Sequence, residues 1–149
     1  MALRMELSRI LIRELNDYQI IELREAEVPA DGPGKGAGDD GRRCFPIVIG
    51  LPEAQAIERR IKGIAIKRPQ THDLLASILT ALGAALKSIT ITDLSDHTFF
   101  ATLDVAKADG ELIHIDSRPS DAIALGIAND VPIYVEEHVL DAALTADET

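Results

Sequence analysis

A chain of 149 residues with 15 Lys and Arg against 25 Asp and Glu carries a formal charge of −10 at pH 7. That balance excludes a protein that grips duplex nucleic acid over a broad surface, because affinity for phosphate comes mainly from cations that displace counterions; a nucleic-acid contact has to be local. With 46% hydrophobic and 3% aromatic residues, no Trp and no run of about 18 apolar residues, the composition fits one soluble globular domain and excludes a bilayer span and a well-supplied stacking platform for single strands.

In chain order, Met1 to Ile12 is broken by Arg4, Glu6 and Arg9 and holds no apolar leader segment, so a cytoplasmic location is expected. "MELSRILIRE" (5–14) and "YQIIELREA" (18–26) are β-leaning runs joined by "ELND", which predicts a hairpin. Residues 29–42 are dominated by Pro, Gly, Asp and Lys and lose all hydrophobic period, which predicts a mobile surface loop. Its glycines lack the spacing to a Lys-Ser/Thr pair that a phosphate loop requires. "CFPIVIG" (44–50) is a short apolar strand whose Cys44, the one cysteine, is expected as a buried thiol in a reducing compartment. "LPEAQAIERRIKG" (51–63) follows as an amphipathic helix that opens on Pro52 and stops at Gly63. The strongest period in the chain predicts a second helix from Thr71 to Leu86. Leu74, Leu75, Ile78, Leu79, Leu82 and Leu86 lie on one face of it, Thr71 is its cap and Asp73 answers the dipole.

From Ser88 the period falls to two. "SITITDL", "TFFATLDVAK" and "ELIHIDS" are three strands of an antiparallel meander, turned by "SDH" and "ADG". "IDSRPSDAIALGIAND" (115–130) supplies a third helix that is apolar around its whole circumference, which implies burial on all sides, a second chain included. "VPIYVEE" is a last strand entered at Pro132 and "EHVLDAAL" a short terminal helix, with a frayed tail over 145–149. Strands gathered around a few helices without steady β-α-β alternation make an α+β fold. It is read as an N-terminal hairpin and a C-terminal meander, mostly antiparallel, packed with three main helices and a short fourth in a single domain over 1–144.

Two segments repeat one local logic. "KRPQTHDLL" and "DSRPSDAIAL" each place Arg-Pro and then an acid before an apolar helix, so that Arg68 leads to Asp73 and Arg118 to Asp121. Read structurally, proline fixes the helix entry, the acid offsets the dipole and the arginine pairs with it. Read chemically, a helix N-terminus with free N–H groups beside a guanidinium is an anion pocket. A divalent ion would need converging oxygens, for which Glu53, Asp73, Asp116 and Asp121 are the candidates, with His72 as base or ligand. No spaced ligand motif accompanies them. His97 falls in a turn, His114 on a strand and His138 near the C-terminus, so His72 is the histidine with company.

"FPIVIGLPEAQAI" (45–57), "RPQTHDLL" (68–75), "TFFATL" (98–103), "DSRPSDAIAL" (116–125) and "PIYVEEHVL" (132–140) occur in this order, and together they resemble the bifunctional nuclease domain family over roughly Met5 to Leu144. The resemblance implies cleavage of DNA and RNA, the activity that names the family. By motif it carries over Glu53, His72, Asp73, Asp116, Arg118, Ser120 and Asp121. Asp96-His97 stands where the family more often has a glycine before "TFFA", a departure confined to a hairpin turn. Two readings stay open. In the first, the protein is a nuclease of low sequence selectivity: Asp116 and Asp121, with Asp73 or Glu53, hold a divalent ion such as Mg²⁺, Arg118 neutralises the phosphate of a locally bound DNA or RNA strand, and His72 moves a proton. In the second, it is a non-catalytic assembly module whose Arg-Pro helix starts are structural ion pairs and whose third helix seals a homodimer or higher homo-oligomer.

Overall fold

The elements follow as β1 (Ala2–Leu11), β2 (Gln19–Glu25), β3 (Cys44–Ile49), α1 (Leu51–Lys62), α2 (Thr71–Ala81), β4 (Ala85–Ser95), β5 (Thr98–Ala106), β6 (Leu112–Ser117), α3 (Pro119–Gly126), β7 (Ile133–Glu136) and α4 (Glu137–Asp147). The computed structural model describes residues 1–13, 15 and 18–147, the last two by backbone alone. Hairpin and meander become one sheet in the order β3-β2-β1-β7-β4-β5-β6. The joint is β7, antiparallel to β1 and parallel to β4; every other pairing is antiparallel. The fold is α+β, as the pattern predicts. The residues of "ELND" other than Leu15 lie outside the described ones.

Period-two alternation turns one side of each strand to a common core. Ile21 and Leu23, Phe45, Ile47 and Ile49, Ile89 and Ile91, Ala101, and Ile133 and Val135 all point there. Against them pack Ala54 and Ile57 of α1, Ala122 to Ala124 of α3, and Val139 and Leu140 of α4. On the other side of the sheet sit Ser88, Thr90, Thr102 and His114, all bonded to the buried Asp104 carboxylate at 2.7–2.9 Å.

Two expectations need correction. The second helix stops at Ala81, not Leu86. Gly83 takes the left-handed conformation (φ 75), and the bonds Ala84 N–H to Leu79 O (2.8 Å) and Gly83 N–H to Thr80 O (3.0 Å) close a Schellman motif. The apolar period runs on past that stop, but Leu86 belongs to β4, paired with Val105. Its cap is Gln70 rather than Thr71: the Gln70 N–H donates to Asp73 Oδ2 at 3.0 Å. The third helix is buried inside its own chain, from Pro119 to Gly126 except Asp121. It seats directly on β4, since a Cβ on Gly126 would lie 2.9 Å from Ile89 Cδ1. Its apolar circumference is therefore satisfied by β4, β5, α1 and α2, and it offers no face to a second chain. The β4–β5 turn puts Asp96 (φ 51) and His97 (φ 62) both in the left-handed region, a two-residue turn for which glycine is the usual choice.

Candidate functional site

Three helices begin on one cleft. Pro52 and Glu53 open α1, Gln70, Thr71 and His72 open α2, and Ser117, Arg118 and Asp121 stand at the start of α3; together they line a volume of about 720 Å³. Local sequence places each of them. β3 ends at Ile49 and Gly50 turns the chain into α1. β6 ends at Ser117, and Pro119 sets the entry to α3 with Arg118 extended before it (φ −72, ψ 144). Neither Gly50 nor Arg118 caps its helix with a side chain, so first-turn N–H groups and the positive ends of the helix dipoles face the cleft region uncapped.

Arg118 is the node. Its Nε donates to Asp121 Oδ2 (2.8 Å) and its Nη2 to Glu53 Oε1 (2.8 Å), while Asp121 Oδ1 lies 3.0 Å from His72 Nε2. The chain Glu53–Arg118–Asp121–His72 thus links all three helix starts. The Arg118 side chain nevertheless stays 65% exposed, against 15% for Glu53 and 12% for His72. It pairs inward with two carboxylates and lines the cleft. Burial alone would raise the pKa of Asp121, but the hydrogen bonds from Arg118 and His72 outweigh it and hold the carboxyl below the ordinary Asp value. The bonds to Asp121 and Glu53 push Arg118 above its ordinary value.

The other expected residues separate. Asp116 lines the cleft, and among the described residues no hydrogen bond or ion pair engages its carboxylate. Asp73 does not join the constellation. Its carboxylate is taken by Arg59 (2.9 Å) and Arg60 of α1 and by the Gln70 N–H, so the parallel between the two Arg-Pro segments breaks: Arg118 pairs with its acid and Arg68 does not. Arg60 also donates to Leu125 O at 3.2 Å, tying α1, α2 and the end of α3 together. These ties position His72, and "ERR" in the last turn of α1 reads locally only as dipole complement. Gly50 also carries more than a local reading shows: a Cβ there would lie 2.5 Å from Glu53 Oε2, so the carboxylate sits where only glycine leaves room.

A divalent ion does not fit this donor set. Both oxygens of Asp121 and one of Glu53 already accept from Arg118 or His72 and Asp73 is held by the α1 arginines, which leaves Asp116 and the second Glu53 oxygen; among the described residues no three His, Cys, Asp or Glu side chains are arranged to hold a metal. Cys44 is half-buried rather than buried. Its thiol is pushed up by burial first, then by the charges of Glu22 and Asp40, which is the reverse of a reactive thiolate. His114 is held by Asp104 and His138 lies 3.8 Å from Asp93, both away from the cleft.

The model of the bifunctional nuclease domain matches residues 37–148. The chain belongs to that family. The match starts inside the loop before β3 rather than at β1, and covers every residue of the cleft. An uncharacterized protein of Mycobacterium tuberculosis is 43% identical over 112 residues, 74% of this chain and 66% of the relative. Bifunctional nuclease 1 of Oryza sativa subsp. indica is 24% identical over 126 residues, 83% of this chain and 38% of the relative. Bifunctional nuclease 1 of Arabidopsis thaliana is 23% identical over 97 residues, 64% of this chain and 30% of the relative. The chain thus spans just under two thirds of the mycobacterial relative's length and about a third of the plant relatives'. No helix among the described residues is long and apolar enough to cross a membrane.

Proposed function

We propose that the cleft hydrolyses phosphodiester bonds of a DNA or RNA strand bound locally and with low sequence selectivity. The observation that carries this reading is the convergence of three helix N-termini around Arg118. Backbone N–H groups and dipole ends favour an anion, and an exposed guanidinium fixed by two carboxylates can donate to phosphate oxygens. Family membership supplies the phosphodiester, since the named plant relatives are bifunctional nucleases.

In the reaction, Arg118 neutralises the non-bridging phosphate oxygens as charge builds on them. Asp121 fixes the His72 ring through Nε2, which leaves Nδ1 as the nitrogen for proton transfer. Nδ1 takes a proton from the attacking water as its oxygen bonds to phosphorus, and returns it to the leaving oxygen as the P–O bond breaks. Assays with added Mg²⁺ and with EDTA test whether a divalent ion takes part.

The test is cleavage of fluorescent single-stranded DNA and RNA oligonucleotides by wild type, His72→Ala and Asp121→Asn. The reading expects cleavage by wild type and its loss in both variants without loss of fold. Wild type that cleaves nothing above a mock purification, with and without Mg²⁺, overturns it. The second reading, a non-catalytic module, draws on the same ion-pair chain, which also clamps α1, α2 and α3. It expects the variants to lose stability and no activity to be present.

A further inference from the structure

A second cavity adjoins the cleft at Arg118. It has a volume of about 650 Å³, and its walls include Tyr18, Val48, His97, Phe99, Arg118 and Ser120. Arg118 lines both volumes, and α3 divides them: Asp121 faces the cleft, and Ser120, a step of about 100° round the helix, faces the second cavity. Apolar and aromatic walls with a few polar groups among them are the lining of a small-molecule pocket. Among the described residues, no Asp, Glu or Lys lines it.

Ser120 is the polar group that lacks a partner. The residue is 5% exposed, and among the described residues nothing hydrogen-bonds to its hydroxyl. A buried hydroxyl left unpaired is uncommon and costs stability. Nor does it cap α3, whose N-cap is Arg118. The aromatic rings are the other signal. The chain has three Phe and two Tyr, and one of each meets here. Phe99 is backed by the buried Phe45, with ring centroids 5.6 Å apart and planes inclined by 28°, which fixes its ring. Tyr18 is open, at 54% exposure.

We infer that this cavity holds the base of the nucleotide whose phosphate meets Arg118. The inference rests on the placement of a phosphate there under the reading proposed above. A nucleotide joins an anion to a flat, neutral, aromatic group, and the two volumes offer the matching pair. Helix starts and a guanidinium stand on one side, rings and a free hydroxyl on the other. A second phosphate is disfavoured, since Arg118 is already shared by Glu53 and Asp121 and the chain carries −10. A neutral base escapes that repulsion. Stacking on Tyr18 and Phe99 accepts any base, because every base has a π-face, and the Ser120 hydroxyl both donates and accepts. The pocket thus adds affinity without sequence selectivity. It serves one base rather than a run of them, which is within what so few aromatic residues supply.

Titration of the ¹⁵N-labelled full chain with adenosine 5′-monophosphate and, separately, with ribose 5-phosphate tests it by amide chemical shifts. The two compounds differ in the base alone. The monophosphate is expected to bind about tenfold tighter or more, and to move the amides of Tyr18, Phe99 and Ser120 as well as those of the cleft. Ribose 5-phosphate is expected to move the cleft amides only. Tyr18→Ala should remove about tenfold of the affinity for the monophosphate and none of that for ribose 5-phosphate. Ser120→Ala should weaken the monophosphate alone with Tm unchanged, because its hydroxyl has no bond within the chain to lose. Equal affinities for the two compounds overturn the inference. So does monophosphate binding that leaves those three amides unmoved, or no binding of either compound at millimolar concentration. If Ser120→Ala lowers Tm, its hydroxyl serves the fold and the affinities of Tyr18→Ala decide. Every readout is binding without turnover. A chain that discriminates the two compounds but cleaves no oligonucleotide ends the hydrolytic reading and keeps the pocket; cleavage without discrimination ends the pocket alone.

Discussion

Removal of Arg118 separates a site from a strut, because the structure holds a true strut for comparison. Arg118→Ala deletes two charge-assisted hydrogen bonds, yet the guanidinium is 65% exposed and water takes over its partners. For such screened pairs the net contribution is about 0.5–1 kcal/mol, which lowers Tm by roughly 1–4 °C in a domain of this size. Arg43 differs. It donates twice to Glu25, at 2.9 and 3.0 Å, the Arg43 N–H adds a third bond at 2.8 Å, and the side chains are 12% and 4% exposed. Arg43→Ala strands a buried carboxylate, a loss of about 3–5 kcal/mol, or some 6–20 °C. Differential scanning calorimetry of the two variants beside oligonucleotide cleavage reads both quantities. Arg118→Ala is expected to melt near wild type while losing about 10²–10³-fold in turnover, the usual size of one lost oxyanion donor. A melting loss equal to that of Arg43→Ala, with cleavage retained, would refute the placement of Arg118 as the phosphate contact.

Other perturbations follow from the same geometry. Gly50→Ala leaves an allowed backbone (φ −80) but drives a Cβ into Glu53 Oε2; cleavage is expected to fall with Tm nearly unchanged, and a crystal structure of the variant should show the Glu53–Arg118 bond broken. For Asp104, burial alone would raise the pKa, but the bonds from Ser88, Thr90, His114 and Thr102 outweigh it and hold the carboxyl below the ordinary Asp value. Its contribution is then fully present above about pH 4 and is lost as pH falls through the depressed folded value. The Tm gap between wild type and Asp104→Asn should therefore be wide at pH 7 and close toward pH 3; a gap that widens in acid contradicts the assignment. Finally, a single open arginine predicts a shallow salt dependence of strand binding, with a logarithmic slope of about −0.7 to −0.9 per phosphate contacted. A slope several times steeper, measured by fluorescence anisotropy, would place the strand on another surface.

The cleft was largely legible because its parts are helix starts, and helix starts are written locally. Pro52 with Glu53, and Pro119 with Asp121, are read within one turn of chain, and Arg118 reaches Asp121 across three residues. Asp73 carries the same local signature but takes partners 13 and 14 residues back, on α1, while the adjacent Arg68 stays in solvent; only the packing of α1 on α2 decides that. The stop at Gly83 was also present in the sequence, outvoted by a leucine period that continued through it to Leu86. The all-apolar α3 shows the limit of composition most clearly: periodicity states that a helix is covered on every side and is silent on which chain covers it. The same silence hid the reverse case, since the stripe of α2 reads as a core face and is in fact open.

The charge that argues against nucleic-acid binding is consistent with the site once its arrangement is known. Glu53, Asp116 and Asp121 outnumber Arg118 and leave two net negative charges in the cleft, and Asp73 is offset by Arg59 and Arg60. Three helix N-termini contribute about +0.5 each to the same cleft, which offsets most of that charge locally, and their field fades within roughly a Debye length, about 8 Å in physiological salt. The helix ends and the Arg118 guanidinium can meet one phosphate at one point and do little for the rest of a strand. Tight retention of a polyanion needs many cations in a row, which this chain lacks; oriented contact with a single phosphate needs one guanidinium held rigid from behind, which Glu53 and Asp121 provide. The acids that oppose affinity are thus the ones that fix the geometry, an arrangement suited to acting on a bound phosphodiester and releasing it.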